Sequence, residues 1–477
     1  MVLRKSGGCV SLKIINIDTP TLGDRSYLTH DGKTALVVDP QRDIDRVQEL
    51  LKQEGVDLGA VVETHMHNDY VSGGLVLAKE YGAKYLVHEQ DPVTFERQSV
   101  KDEEIVPVGS FAVQALHTPG HTFTHLSYAL LTPENSYQGV FTGGSMLHGS
   151  TGRPDLLGWD HAETLARLQH GSANRLAELL EDHVSVHPTH GFGSFCAATS
   201  TSGTSSTIAD EKRTNPALLF TVDDFVTQTL AGLDAFPSYY KYMGPANHAG
   251  PGPIDLSELD RMSSQEVLKA IEMGSWVVDI RNRDGWAKAH VPGSLSFGLD
   301  GSFATYLGWV FPYEEKLYLL SDKSEDIKEA QRELVRIGIE RPQAAYVGEL
   351  DEFENLTSTK AVTFNDVVEA LKDPNILVLD VRRKSERDAS HIKGTSHIPL
   401  HELKKRTEEL PKDKEIWVHC AGAYRAAAAV GILEKAGLNA VLINEPYDAT
   451  LKVKELPIQL GNVDAGPVAP SDQEVSA

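Results

Sequence analysis

Gly59-Ala60-Val61-Val62-Glu63-Thr64-His65-Met66-His67-Asn68-Asp69-Tyr70 begins as a strand and ends as a cluster of potential metal ligands. The apolar, partly β-branched run from Gly59 to Thr64 reads as a buried strand. Histidine and aspartate then alternate in a tight loop, where they can converge on one metal ion. Upstream, Ala35-Leu36-Val37-Val38-Asp39 reads as another buried strand, and Ile44 to Glu54 as an amphipathic helix between the two. Strand followed by polar loop recurs downstream at Phe111–His117 and Gly139–Thr142. Chemistry therefore gathers at strand ends, the usual place for a site on an α/β scaffold.

Two further loops carry histidine: His117-Thr118-Pro119-Gly120-His121-Thr122 and Pro188-Thr189-His190-Gly191-Phe192-Gly193-Ser194. A lone histidine is usually structural, but three such loops in this order point to a shared centre. The order His-x-His-x-Asp, Thr-Pro-Gly-His, Thr-Gly-x ahead of Gly152-Arg153-Pro154-Asp155, then His-Gly, resembles the metallo-β-lactamase fold, an αββα sandwich, over residues 12–240. The resemblance implies metal ligands at His65, His67 and His121, with Asp69, Asp155 and His190 as further candidates. His65 and His121 match the two iron histidines of the persulfide dioxygenase branch, which adds one aspartate and uses Fe(II). That aspartate is replaced here: Thr-Gly-Asp appears as Thr142-Gly143-Gly144, and Gly144 has no side chain to bind with. Tyr70 also stands where two-metal members carry histidine. Three outcomes follow. His67, Asp69 or Asp155 completes a modified site; iron or zinc binds weakly with water in the gap; or the domain holds no metal and serves as a scaffold or persulfide binder.

The second half contains an internal repeat of about 100 residues. Val278-Asp279-Ile280-Arg281 followed by His290-Val291-Pro292-Gly293 matches Leu379-Asp380-Val381-Arg382 followed by His391-Ile392-Lys393-Gly394. Each copy then runs strand, loop, helix: Glu315–Leu320 and Ser324–Ile337, then Glu415–His419 and Arg425–Ala436. Only the second copy places a cysteine in that loop: His419-Cys420-Ala421-Gly422-Ala423-Tyr424-Arg425, ahead of an alanine-rich helix former. Unsatisfied N–H groups at the helix start, the helix dipole and Arg425 favour a reactive thiolate and an anionic substrate.

A cysteine five residues before an arginine, after an apolar strand, resembles the active loop of the rhodanese sulfurtransferases, most often Cys-x-x-Gly-x-Arg. Here Ala423 takes the glycine place. The resemblance implies that Cys420 carries a persulfide, which Arg425 and the amides of Ala421, Gly422, Ala423 and Tyr424 stabilise. In the first copy Ser321 aligns with Cys420 and Asp326 with Arg425, a charge reversal. That copy is expected to be inactive.

The expected organisation is a metallo-β-lactamase-like domain over 10–245 and a Gly/Pro-rich linker over 246–258. An inactive rhodanese-like domain over 259–356, an active one over 360–458 with a parallel sheet like its twin, and a disordered tail over 459–477 complete it. A chain of 477 residues is long enough for about three domains. The net charge of -23 argues against nucleic acid and anionic membrane partners. Three cysteines, Cys9, Cys196 and Cys420, cannot build a disulfide framework and suit a reducing cytoplasm. No long apolar segment follows the basic pair Arg4-Lys5, so no signal peptide is expected.

A metallo-β-lactamase domain fused to rhodanese domains resembles the persulfide dioxygenase–rhodanese fusions of bacterial sulfide oxidation. The expected function is an enzyme of sulfur metabolism. Its first domain would oxidise a low-molecular-weight thiol persulfide, and Cys420 would exchange sulfur with thiosulfate or sulfite. A sulfurtransferase with a degenerate first domain is the alternative. A metal-dependent thioester hydrolase of the glyoxalase II kind is a second. Another copy of this chain is a further candidate partner.

Overall fold

The computed structural model describes residues 12–199, 201 and 203–461. Cys9 and the expected tail from residue 462 onward lie outside the described residues. The chain divides into two compact units: residues 240–254 join the N-terminal unit, and residues 234–239 join the C-terminal one.

Period-two patterning builds the N-terminal unit, because successive strand residues face opposite sides. Its first sheet runs Lys13–Thr19, Asp24–His30, Thr34–Val38, Asp57–Val62, Lys84–His88 and Gln98–Val100, antiparallel at first and parallel from the third strand on. The second sheet orders Ser206–Thr207, Ser185–Pro188, Tyr137–Gly143, Leu126–Leu131, Phe111–His117 and Ile105–Val108. Leu36, Val38, Ala60 and Val62 of the first sheet share one core with Val113, Ala115, Tyr128 and Phe141 of the second. Their neighbours Val37 and Val61 face the other way, onto Val47 and Leu51 of helix Asp45–Glu54 and Leu75 of helix Gly74–Tyr81. On the far side Leu116, Ala129 and Val140 meet Ala166, Ala173 and Leu176 of helix Trp159–Leu179 and Phe225 of helix Val222–Gly232. The result is four layers, αββα. Each fully buried large apolar side chain contributes about 1.5–3 kcal/mol.

In the C-terminal unit the repeat in the sequence becomes a repeat of topology. One parallel sheet orders Leu295–Ser296, Trp276–Asp279, Leu317–Ser321 and Ala345–Val347. The other orders Ala361–Val362, Ala440–Ile443, Glu415–His419, Ile376–Asp380 and Ser396–His397. Asp279 chelates Arg281 in the first copy as Asp380 chelates Arg382 in the second. His290 and His391 each place Nδ1 on the carbonyl four residues earlier. The shared Asp, Arg and His therefore brace the loops that follow strands Trp276–Asp279 and Ile376–Asp380.

Two segments differ from their expectation. Residues 246–249, expected in the linker, complete the helix Tyr240–Ala249, which tolerates Pro245 inside it. The reason is tertiary: buried Asn247 donates to the carbonyls of His67 (2.8 Å) and Tyr70 (2.9 Å) and accepts from Ser72 N–H (2.8 Å). Ile458–Leu460, across the expected start of the tail, is a strand paired with Ser390–Ile392. Among the described residues no helix is long and apolar enough to cross a membrane.

Candidate functional site

Three strand ends deliver histidines of the N-terminal unit to one place. His65 and His67 follow Asp57–Val62, His121 follows Phe111–His117, and His190 follows Ser185–Pro188. Gly143 and Gly144 close the strand beside them. One ring nitrogen each from His65, His121 and His190 lies within 4.8 Å of the others, and all three rings are buried. His65 Nε2 and His190 Nε2 are 3.3 Å apart, and His121 Nε2 has no hydrogen-bond partner. Three converging imidazoles with an orphaned nitrogen fit a divalent cation.

His67 is turned to different neighbours. Its Nε2 meets Tyr70 Oη (2.9 Å), Asp39 Oδ1 (3.3 Å) and Glu63 Oε2 (3.4 Å). Burial works against charge on His67, but the two carboxylates raise it to about 9. His67 also falls in a second grouping with Asp69 and His190. Asp69 and Asp24 both lie against His190 Nδ1, at 3.2 and 2.9 Å. Burial opposes a charged His190 too, yet Asp69 and Asp24 push it up to about 10. Burial, then the neighbouring His190, lowers His121 to about 3. Burial and the adjacent rings hold His65 well below its ordinary value. Asp155 is not brought to this cluster: it grips Arg153 through two bonds of 2.7 Å.

Gly144 is explained by packing. A side chain there would press into the His121 ring, and one at Gly143 (φ 51°) into Thr64 and His125. His125, which had no expected role, accepts the Gly144 N–H at 3.0 Å and stacks on His65 at 5.0 Å. Cys196 is a packed thiol 3.8 Å from Tyr240 Oη, and burial, with Asp69 and Asp24 nearby, pushes it up.

In the C-terminal unit, Cys420 follows the strand Glu415–His419, just ahead of helix Tyr424–Lys435. Its Sγ accepts the Ala426 N–H at 3.3 Å, a bond from the first turn of that helix. Ala423 caps the helix with φ 67° and ψ -18°, the left-handed region that favours glycine. The substitution noted in the sequence thus falls where glycine would relieve strain. A Cβ on Gly422 would meet nothing within 4 Å, so the loop leaves that side open.

Arg425 is held rather than free. Glu386 binds it with two bonds of 2.6 and 2.7 Å, and Tyr306 of the first copy lies 5.7 Å from its guanidinium. Burial would raise the Glu386 carboxyl, but Arg425 lowers it to about 2. Behind the loop, His419 is fully buried, and burial pulls it down to about 4. In the first copy Ser321 donates to Asp326 at 3.2 Å, so the aligned loop turns its hydroxyl onto an acid.

Residues 22–228 match the metallo-β-lactamase superfamily, and residues 363–449 match the rhodanese-like domain. The chain joins a metallo-β-lactamase domain to a rhodanese-like domain. Its N-terminal part is 25% identical over 241 residues to the mitochondrial persulfide dioxygenase of Homo sapiens, covering 50% of this chain and 80% of that protein. It is 29% identical over 175 residues to a lactamase-like protein of an Aspergillus species, covering 35% of this chain and 49% of that one. It is 30% identical over 124 residues to the hydroxyacylglutathione hydrolase of Prochlorococcus marinus, covering 25% and 49%. The chain thus spans about half the length of the latter two relatives. A solved metallo-β-lactamase of Staphylococcus aureus shares the fold with a TM-score of 0.63 at 23% identity, over 71% of this chain and 100% of its own.

Several residues of the two sites carry no sequence signal of their own. Glu386, the clamp on Arg425 in the rhodanese domain, looks like one more acid on an exposed helix. Thr64 and Asp39 of the metallo-β-lactamase domain are joined only by the fold, which brings Thr64 N and Oγ1 within 2.7 Å of the Asp39 carboxylate. Asn247 sits in a Gly/Pro-rich stretch that hides its three buried bonds.

Proposed function

We propose that this chain is an enzyme of sulfur metabolism that carries sulfane sulfur on Cys420 and oxidises a low-molecular-weight thiol persulfide in its metallo-β-lactamase domain. The observation that carries the reading is the cysteine loop: Sγ at a helix start, accepting an amide, with Arg425 fixed beside it. The Cys420 thiolate attacks the outer sulfur of thiosulfate, the S–S bond breaks, and sulfite leaves with the electron pair. The resulting persulfide waits on the loop until an acceptor thiolate takes the outer sulfur and frees Cys420. The loop amides stabilise negative charge on sulfur, and Glu386 sets the position of Arg425. A free thiol at Cys420 suits a reducing cytoplasm. The first rhodanese-like copy takes no chemical part, because Ser321 and Asp326 replace the nucleophile and its cation.

In the metallo-β-lactamase domain, His65, His121 and His190 would hold the metal, iron by preference, and such an ion supplies binding positions for O2 and the persulfide sulfur. Persulfide, O2 and water together give thiol and sulfite. Fusion raises the effective concentration of that sulfite at the second site. The protein's own residues orient the three rings, exclude water by burial and keep the carboxylates behind them. A second reading, transferase alone, draws on Gly144, which offers no carboxylate where the dioxygenase pattern has one. Metal analysis with oxygen uptake on added glutathione persulfide separates the two. Iron-dependent uptake supports the dioxygenase; iron-loaded protein that takes up no oxygen leaves only the transferase.

A further inference from the structure

The hydrogen-bond network assigns the tautomer of each clustered histidine. An ionised carboxylate only accepts, so Thr64 Oγ1 donates to Asp39 Oδ2 at 2.7 Å. The same hydroxyl then accepts from His65 Nδ1–H at 2.9 Å, which leaves His65 Nε2 as a lone pair. His121 Nδ1 faces the Arg153 carbonyl at 2.8 Å and must donate, which leaves His121 Nε2 as a lone pair without a partner. His190 Nδ1 faces two carboxyl groups, Asp24 and Asp69, and donates to them, so its Nε2 turns to the cluster. Each ring therefore has its outer nitrogen fixed by an oxygen and its inner nitrogen aimed at one point.

We propose that one divalent metal ion is held by the Nε2 atoms of His65, His121 and His190 alone, a three-imidazole set that is neutral once the ion has displaced the proton from His190 Nε2, and in which His190 stands in for the carboxylate that Gly144 cannot supply. The two carboxyls nearest the set act from behind His190 and donate no metal bond. Gly144 is then part of the design, since His121 fills the space its side chain would need. His67 is left out on geometry: Tyr70, Asp39 and Glu63 occupy its Nε2, and although its Nδ1 has no partner, His67 does not fall in the grouping of His65, His121 and His190. With no anionic donor, the ion keeps its full double positive charge, and the open positions select a small anion over a neutral ligand. The inference rests on the metal-bearing reading of the first domain; it is independent of the Cys420 chemistry and of the substrate oxidised.

The full-length protein reconstituted with Co(II) tests it without any assay of turnover. One cobalt per chain is expected, with three paramagnetically shifted, solvent-exchangeable imidazole N–H signals in the proton NMR spectrum. Addition of azide, as an anion probe, should shift the visible absorption bands. His121→Ala and His190→Ala should each lower cobalt affinity more than a hundredfold, while Asp69→Asn, folded by circular dichroism and acting only through His190, lowers it by less, about tenfold. Two cobalt ions per chain, or two exchangeable signals in the wild-type protein, would overturn the proposal without reliance on any variant. An Asp69→Asn loss as large as that of His121→Ala would overturn it as well, by making Asp69 a ligand. Each of these results leaves sulfur transfer by Cys420 standing.

Discussion

Replacing Glu386 with glutamine removes the charge that holds Arg425 while keeping the side-chain volume. Glu386 is 21% exposed and Arg425 8% at their side chains, so solvent screens the pair weakly. Folding lowers the carboxyl from 4.5 to about 2, which corresponds to about 3 kcal/mol. Loss of one partner from a buried pair costs a similar amount, about 3–5 kcal/mol. Because the folded value is depressed, this stabilisation is complete above about pH 4.5 and disappears as pH falls towards 2. At pH 3 about 1.4 kcal/mol of it remains, under half. Calorimetry of the full chain should show the transition of the C-terminal unit lowered by about 6–12 °C at pH 7 in Glu386→Gln, at about 2–4 °C per kcal/mol. The gap to wild type should shrink by more than half at pH 3. A shift of less than about 1 °C at pH 7, or an equal gap at both pH values, would refute the claim that this bond braces the loop.

Ala423→Gly should stabilise the C-terminal unit modestly. The left-handed conformation costs alanine about 1–2 kcal/mol, and glycine gives back about 0.4–1 kcal/mol through the unfolded chain. A rise of about 1–3 °C in the same transition is expected, with thiosulfate transfer retained; a lower melting point would show that Ala423 is unstrained. Asn247→Ala removes three buried hydrogen bonds from the segment His67–Ser72, at about 1 kcal/mol each. It should destabilise the N-terminal unit by about 2–4 kcal/mol, measured by urea titration, and speed amide exchange at residues 67–72.

The αββα layering was legible only through the resemblance that the histidine loops carry, because Val37-Val38 and Val61-Val62 are apolar on both faces and serve two cores at once, which leaves no alternation to read. The internal repeat was legible directly, since Asp279 and Asp380 must each chelate the arginine two residues on. The helix Tyr240–Ala249 was not, because its stability comes from Asn247 reaching a loop 175 residues away or more, against local propensity. At the metal cluster, the four histidines could be picked out, but their division could not. Only folding shows that His67 faces two carboxylates while His190 joins His65 and His121. Gly144 likewise reads as a missing ligand until the His121 ring is seen to fill its place.

The central claim is that Cys420 carries the sulfur, and intact-protein mass spectrometry after incubation with thiosulfate tests it most directly. The wild-type chain should gain the mass of one sulfur atom, lose it when an acceptor thiol is added, and release sulfite in equal amount, while Cys420→Ser gains none. A Cys420→Ser chain that takes up sulfur as the wild type does, or a wild-type adduct that maps to Cys196, would contradict the account.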